Sequence, residues 1–279
     1  MNINWFPGHM IKAVREMEEK LSLVDAVIYI IDSRAIKSSV NPNFEKIIKD
    51  KPVLYLFNKS DLVEKNDLNK WITKFKNDGK EVISIVGTSL NQENIISALK
   101  KTCEKKIKKF ANKGAKVSIR AMVIGIPNTG KSTIINSLIR KAKAITGNKP
   151  GVTRSQVWYS VSGVDLLDTP GTLWGKLDDQ KIAHHLAYIG SIKWDILDKQ
   201  ELAKDFIDEL RLIYPEYIKS RFKINEIPQN PDEAIEKIAK ARGFILKGGE
   251  IDLERTANIV LDEFKNGKLG KIMLEKCDD

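Results

Sequence analysis

The stretch Ser118–Ser137, with the sequence SIRAMVIGIPNTGKSTIINS, decides the fold of this chain. Its apolar run Ala121–Ile124 predicts a buried strand, and the loop Gly125–Ser132 that follows has the pattern G-x-x-x-x-G-K-S ahead of a helical pattern. The glycines at positions 125 and 130 let the backbone curl so that its N–H groups point at phosphate oxygens. Strand, loop and helix together predict a phosphate-binding loop that holds a nucleoside triphosphate.

The polar residues of this loop have expected partners in the nucleotide. Lys131 should reach the β- and γ-phosphates, where it assists catalysis, and the Ser132 hydroxyl should bind Mg²⁺. The positive end of the helix that begins near Lys131 adds to the attraction. The other loop residues expected to contact the nucleotide are Asn128, Thr129, Gly130 and Thr133.

Length and composition are those of a soluble globular protein with one large domain or two modest ones. The chain has 279 residues, of which 42% are hydrophobic and 30% charged. No apolar run approaches the roughly 18 residues that a membrane-spanning helix needs. The first residues lack a signal-peptide pattern, and Cys103 and Cys277 lie too far apart in sequence to suggest a disulfide framework. We therefore expect a cytoplasmic protein.

The charge balance is basic, with 47 Lys and Arg against 37 Asp and Glu and a net charge of +10. Basic residues are dense over positions 100–116 and again in the C-terminal third. Such a balance favours polyanionic partners such as RNA, DNA or an anionic membrane surface. The alternative is that these residues are only the solvated faces of helices.

Strand-like and helix-like patterns alternate up to about residue 175, which predicts a mostly parallel, doubly wound sheet. One long helix is predicted from Gln92 to Asn112. Beyond about Lys181 only helical patterns remain. We therefore predict an α/β fold with a phosphate-loop domain over residues 1–175 and an all-helical domain over residues 176–279.

A second motif, Asn58–Asp61, has the pattern N-K-x-D at the end of an apolar strand. The carboxylate of Asp61 can accept hydrogen bonds from N1–H and the 2-amino group of guanine, whereas adenine offers no N1–H and would leave it unsatisfied. Asn58 can address the O6/N7 edge of the base, and the stem of Lys59 can cover its face. The motif predicts a guanine nucleotide, GTP or GDP.

A third motif, Asp168-x-x-Gly171, follows a buried strand downstream of the phosphate loop. Asp168 would hold Mg²⁺ through water, and the N–H of Gly171 would sense the γ-phosphate. Thr153 lies in the loop between the two motifs and is expected to close on Mg²⁺ when the γ-phosphate is present, as a metal ligand and catalytic residue.

The order of these motifs is unusual, since N-K-x-D precedes the phosphate loop. A circular permutation explains the order without breaking the site, because the termini of a compact domain often lie close together. In this order the sequence resembles the circularly permuted GTPases of ribosome assembly, closest to the bacterial ribosome biogenesis GTPase A (YlqF/RbgA) family. The matching segments are Trp5–Met10, Asn58–Asp61, Gly125–Ser132, Pro150–Thr153, Asp168–Gly171 and Leu173–Trp174.

The resemblance implies a role in late maturation of the large ribosomal subunit and a helical C-terminal domain that contacts RNA. We therefore expect a GTP-hydrolysing switch, a monomer when free, that binds the large-subunit precursor and its rRNA in the GTP form and leaves after hydrolysis. Two alternatives stay open: a GTPase of tRNA modification or translation, and a nucleotide-gated RNA-binding scaffold with negligible turnover.

The sequence also departs from the family pattern. The segment Asp32–Ile36 lacks the proline usual there, and Thr172 replaces a large aliphatic residue after Gly171. The guanine loop expected near residues 85–89 reads Val86-Gly87-Thr88, from which Gly87 is the candidate nucleotide contact.

No glutamine follows Gly171 to orient the attacking water. The resemblance points to His9 for this catalytic role, and a neutral imidazole can position a water; the alternative is a histidine that only packs or caps a helix. Asn128 is the candidate for holding K⁺ beside the phosphates, against the alternative of an ordinary loop residue. His184 and His185 are expected on a helix surface.

Overall fold

A computed structural model of the chain describes residues 1–3, 8–112, 118–145, 158–175 and 177–277. Within those residues six strands form one sheet in the order β3-β2-β1-β4-β6-β5, parallel except for β5, which runs antiparallel to β6. The strands are β1 Ala26–Asp32, β2 Val53–Asn58, β3 Glu81–Ser84, β4 Ile119–Ile124, β5 Trp158–Val161 and β6 Val164–Asp168.

Helices precede the sheet, connect its strands and make up the C-terminal region. They are α1 His9–Lys20, α2 Ile36–Ser39, α3 Pro42–Ile48, α4 Lys65–Asn77, α5 Gln92–Thr102, α6 Glu104–Ala111, α7 Lys131–Ile145, α8 Gln180–Tyr188, α9 Lys199–Ile213, α10 Pro215–Phe222, α11 Pro231–Arg242 and α12 Leu253–Lys265. Among all the residues that the structure describes, no helix is both long and apolar enough to cross a membrane.

The sheet is doubly wound, as the alternating pattern predicted. Every residue of the central strand β1 is buried, as expected for a parallel strand covered on both faces. Its alternate side chains separate two apolar clusters: Tyr29 packs with Phe44 of α3, and Ile28 lies in the cluster that contains Leu99 of α5. The position of the N-K-x-D strand β2 before the phosphate-loop strand β4 in the chain confirms the permuted order.

The C-terminal region is helical, as predicted, and α9 lies at its centre. Phe206 of α9 is fully buried and packs against Tyr188 of α8 and Phe264 of α12. An isolated bridge between Ile245 and Ile251, the one β feature described in this region, closes a turn before α12. The division of the chain into domains at residue 175 stays a prediction.

The segment after α12 returns to the sheet. The N–H groups of Ile272 and Leu274 donate to the carbonyls of Leu62 and Arg34 at 3.0 and 2.8 Å, and Met273 is buried in one of the sheet's two apolar clusters. These contacts hold the helical region against the ends of β1 and β2.

The predicted single helix from Gln92 to Asn112 is wrong, because two helices, α5 and α6, occupy this stretch and meet at Cys103. Cys103 leaves helical geometry (ψ +16°), and its side chain is buried with Leu99 in the cluster beneath the sheet. No glycine or proline marks the break, which falls at this buried side chain.

The expectation that His184 and His185 lie on a helix surface is also wrong. His185 is 1% exposed, and its ring nitrogens lie 2.7 Å from a Glu209 carboxylate oxygen and 2.9 Å from one of Glu275. Burial alone would lower the pKa of His185, but the two carboxylates outweigh it and raise the pKa to about 9. His184 is half-buried and contacts Asp205 at 3.1 Å. The sequence pattern could not show these carboxylates, which come from elsewhere in the chain.

We predict that the His185 cluster stabilises the protein in a pH-dependent way. Because the folded-state pKa lies above the ordinary value of about 6.5, its contribution is complete below pH 6.5 and is lost as the pH rises through 9. His185→Gln leaves Glu275 buried without its cation, which should cost about 3 kcal/mol of unfolding free energy at pH 6. Urea unfolding at pH 6, 8 and 10 measures this difference, which should shrink at pH 10.

The matched control is His184→Gln, since His184 lies on the same helix and its partner Asp205 is 35% exposed. A smaller loss is expected for it. A loss in His185→Gln that stays constant from pH 6 to pH 10 would contradict the assignment of a charged His185.

Candidate nucleotide-binding site

The three motifs meet at one edge of the sheet, where the parallel strands end. Asp32 of β1 lies beside Asn58 of β2, and Asp168 of β6 lies beside Val123 of β4, one residue before that strand ends. Ligands of open α/β sheets bind at this edge. The sheet thus places N-K-x-D, the phosphate loop and Asp168–Gly171 around one space.

The lysine of the phosphate loop forms hydrogen bonds with the backbone of that loop. The ammonium of Lys131 donates to the carbonyls of Gly125 and Ile126 at 3.0 and 2.9 Å. Burial lowers the pKa of Lys131 to about 8, against the opposing effect of the Asp168 carboxylate. A Cβ at position 125 would lie 2.6 Å from the Ile30 carbonyl oxygen, so the loop needs glycine there.

Gly171 approaches this lysine closely. A Cβ at position 171 would lie 2.6 Å from the Lys131 ammonium and 2.9 Å from Cα of Pro127, so only glycine fits between them. Burial raises the pKa of Asp168 in the same motif, and the charge of Lys131 opposes the rise. The backbone of Gly171 therefore lies beside the cation that is expected to hold the terminal phosphates.

A cavity of about 550 Å³ opens over the loop. Its size suits the polyphosphate part of a nucleotide with its cation. Its walls come from the phosphate loop, from the segment that ends β6, from β5 and, unexpectedly, from α1. They are lined by Pro127, Asn128, Lys131, Ser132, Leu167, Asp168, Thr169, Pro170, Gly171, Tyr159, Glu16 and Lys20.

Asn58 joins the guanine loop to the phosphate loop. Its side-chain nitrogen donates to the carbonyl of Thr129 at 2.7 Å, and its side-chain oxygen accepts from the N–H of Gly87 at 2.8 Å. A Cβ at Gly130 would clash with the same amide. The second N–H of the Asn58 amide is therefore still available to a base. Gly87 lies at the site, but its own N–H already donates to Asn58.

Asp32 is a site residue that sequence analysis missed. It is fully buried, and its carboxylate accepts from the Lys59 ammonium at 2.7 Å and from Arg34 at 2.8 and 3.0 Å. Burial alone would raise the pKa of Asp32, but Arg34 and Lys59 outweigh it and hold the pKa well below its usual range. The signal in the sequence is that Asp32 ends a strand, as Asn58 does.

The site also contacts the helical region. Arg34 donates to the carbonyls of Phe264 and Lys265 at the end of α12, at 3.2 and 3.0 Å. The Ser191 hydroxyl, just after α8, donates to the Pro127 carbonyl at 2.7 Å, and the Asn128 side-chain nitrogen donates to the Gly190 carbonyl. Two parts of the phosphate site are therefore hydrogen-bonded to the helical region.

The remaining predicted residues fall into three groups. Thr129 is buried, with its hydroxyl donated to the Ile126 carbonyl at 3.0 Å, so only its backbone can reach a phosphate. Asp61, Ser132 and Thr133 are exposed and free to meet a ligand. Thr153 and the His9 side chain lie outside the described residues.

Several basic side chains of the helical region form ion pairs inside the protein. Arg221 and Arg242 both contact the Glu263 carboxylate, at 2.7 and 2.8 Å. Lys219, Lys237 and Lys240 pair with Glu216, Glu226 and Glu236. Lys223 and Lys247 are exposed and have no ion-pair partner among the described residues.

Comparisons with known proteins identify the family of this chain. Residues 120–224 match the family model described as "50S ribosome-binding GTPase". Ribosome biogenesis GTPase A of Bacillus cereus is 43% identical over 282 residues, which cover 100% of this chain and 95% of that protein. The Thermotoga maritima protein of the same name is 31% identical, over 99% of this chain and 95% of its own length.

Two solved structures share the fold. GDP-bound YlqF of Thermotoga maritima superposes with a TM-score of 0.69 and 26% identity, over 95% of this chain and 100% of that one. The GNP-bound form gives the same TM-score and identity over 96% of this chain and 99% of that one. With relatives above 40% identity over its full length, this chain is a GTPase that belongs to the ribosome biogenesis GTPase A family.

Proposed function

We propose that this GTPase is a switch in late assembly of the large ribosomal subunit, binding the precursor particle and its rRNA in the GTP form and leaving after hydrolysis. The proposal rests on two hydrogen bonds that join the phosphate loop to the helical region, one from the Asn128 side chain and one from the Ser191 hydroxyl. A helical region held in this way can change position with the nucleotide. The matching family model, described as ribosome-binding, supports the partner.

In this proposal the chain acts as a monomer in the cytoplasm and holds GTP or GDP with Mg²⁺. The Ser132 hydroxyl and the Asp168 carboxylate line the same cavity and are oxygen ligands of the kind that Mg²⁺ prefers, with Thr153 as the third candidate. The metal would neutralise phosphate charge. Lys131 and the backbone of Gly130, Thr133 and Gly171 would hold the phosphates, and Asn58, Lys59, Asp61 and the loop of Gly87 the guanine.

His9 is proposed to orient the attacking water. Thr172, which follows Gly171, is 1% exposed and does not line the cavity, so it is not placed to do this. His9 begins α1, the helix that walls the cavity, and the next residue, Met10, accepts a hydrogen bond at sulfur from the Leu173 N–H at 3.2 Å. The contact with Leu173 holds the start of α1 beside the segment that follows Gly171, which supports a role for His9 at the γ-phosphate.

The test is GTP turnover by the purified protein with Mg²⁺ and K⁺, alone and with large or small ribosomal subunits. Large subunits should raise the rate by about 100-fold, and small subunits should not, because only the large particle orders the water-orienting group. His9→Ala should lose most of the stimulation while binding a non-hydrolysable GTP analogue normally.

Stimulated turnover that survives in His9→Ala would rule out the role of His9. Tight GTP binding without stimulation by either subunit would favour the RNA-binding scaffold, and equal stimulation by both would favour a GTPase of translation.

We predict that base selectivity depends on Asp61. Asp61→Asn replaces an acceptor with an amide that can donate to the C2 oxygen of xanthine, so affinity should fall about 100-fold for GDP and rise for xanthosine diphosphate. Fluorescence titration with both nucleotides measures the two affinities. The control is Asp78→Asn, a change at an exposed residue at the end of α4 that should alter neither affinity. Unchanged selectivity in Asp61→Asn would contradict the guanine assignment.

We predict faster turnover in K⁺ than in Na⁺, with Asn128 responsible. Its side-chain nitrogen is held by Gly190, while its side-chain oxygen accepts no hydrogen bond from the described residues and is available to a cation. Asn128→Gly suits the positive φ of +61° and should abolish the difference between the two ions. Ser191→Ala removes the neighbouring hydrogen bond and should keep the difference. Equal rates in both ions for the wild type would contradict the K⁺ site.

A further inference from the structure

Helix α1 forms one wall of the phosphate cavity, a role that none of the motifs indicated. Glu16 and Lys20 line the cavity together with Lys131, Ser132 and the loop that ends at Gly171. The two α1 residues are four apart, so they lie on the same face of the helix. This face therefore borders the cavity in which the phosphates of a bound nucleotide are proposed to lie.

The position of α1 is fixed by packing on both sides of this face. Met17, between the two residues, is 1% exposed and belongs to the apolar cluster on one face of the sheet. At the start of the helix, Met10 is buried and its sulfur accepts from the Leu173 N–H, two residues beyond Gly171. A helix held by the sheet and by the segment that follows Gly171 can present a side chain at a constant distance from the cavity.

Lys20 is half-buried and forms no hydrogen bond or ion pair with any described residue. Of the described residues that line the cavity, only Lys20 and Lys131 carry a positive charge. Lys131 is already shared between two loop carbonyls, and burial lowers its pKa. A triphosphate with one Mg²⁺ still carries about two negative charges, and electrostatic stabilisation of phosphoryl groups depends on cations placed around them.

We propose that Lys20 binds the terminal phosphate of the nucleotide and makes the site prefer the triphosphate over the diphosphate. Glu16 opposes this preference, because its carboxylate adds a negative charge to the same wall. The two residues together set the charge that α1 presents to the γ-phosphate. The inference rests on the proposed placement of the phosphates at Lys131 and Ser132.

The test compares the affinities of fluorescent GDP and of a fluorescent non-hydrolysable GTP analogue, measured with Mg²⁺. Lys20→Met keeps an unbranched apolar stem of similar length and removes the charged end, so affinity for the GTP analogue should fall about tenfold, equivalent to about 1.4 kcal/mol, while affinity for GDP stays unchanged. Lys20→Arg should restore most of the preference, and Glu16→Gln should shift it the other way. The matched control, Lys12→Met, removes an exposed lysine of the same helix that lies outside the cavity.

Three results would overturn the inference: an unchanged preference in Lys20→Met, an equal loss for both nucleotides, or the same loss in Lys12→Met. If Lys20→Met unfolds, Glu16→Gln decides, since an unchanged preference in that variant also contradicts the charged wall. A wild-type protein that binds neither nucleotide would instead refute the proposed function, so the two failures are distinguishable.

Discussion

The buried carboxylate of Asp32 is the constraint on which the nucleotide site depends. An ionised carboxylate out of contact with water is costly unless cations and hydrogen bonds compensate it. Here Lys59 approaches from the guanine motif and Arg34 from the chain just beyond β1, so the carboxylate fixes both. The ammonium of Lys59 also donates to the Asn128 carbonyl at 2.8 Å, which brings the phosphate loop into the same network.

From this carboxylate the network continues into the helical region. Arg34 donates to the last carbonyls of α12, where a positive charge is favourable because it faces the negative end of the helix dipole. The Ser191 hydroxyl reaches the other side of the phosphate loop. The motif expected to bind guanine, the phosphate loop and the helical region therefore share one set of hydrogen bonds. The phosphate loop, which would respond to a change of nucleotide, is in direct contact with the helical elements that would have to move.

The sequence was sufficient to predict the fold and the candidate site wherever a short contiguous motif determines the local geometry. Gly125–Ser132 and Asn58–Asp61 each follow a buried strand, so the parallel sheet that brings them together could be inferred before the structure was known. Contacts between distant residues could not be inferred. The internal hydrogen bonds of Asn58, the burial of His185 between two carboxylates and the wall formed by α1 all depend on residues far apart in the chain. The break at Cys103 could not be inferred either, because no glycine or proline marks it in the sequence.

In the proposed switch, nucleotide state controls attachment to the large ribosomal subunit, which a binding assay measures without relying on turnover. Large-subunit precursor particles would be sedimented with the protein in the presence of a non-hydrolysable GTP analogue, GDP or no nucleotide. We expect co-sedimentation with the analogue and little with GDP, because the terminal phosphate would act on the loop to which the helical region is hydrogen-bonded. Equal co-sedimentation in all three conditions would contradict a nucleotide-controlled switch.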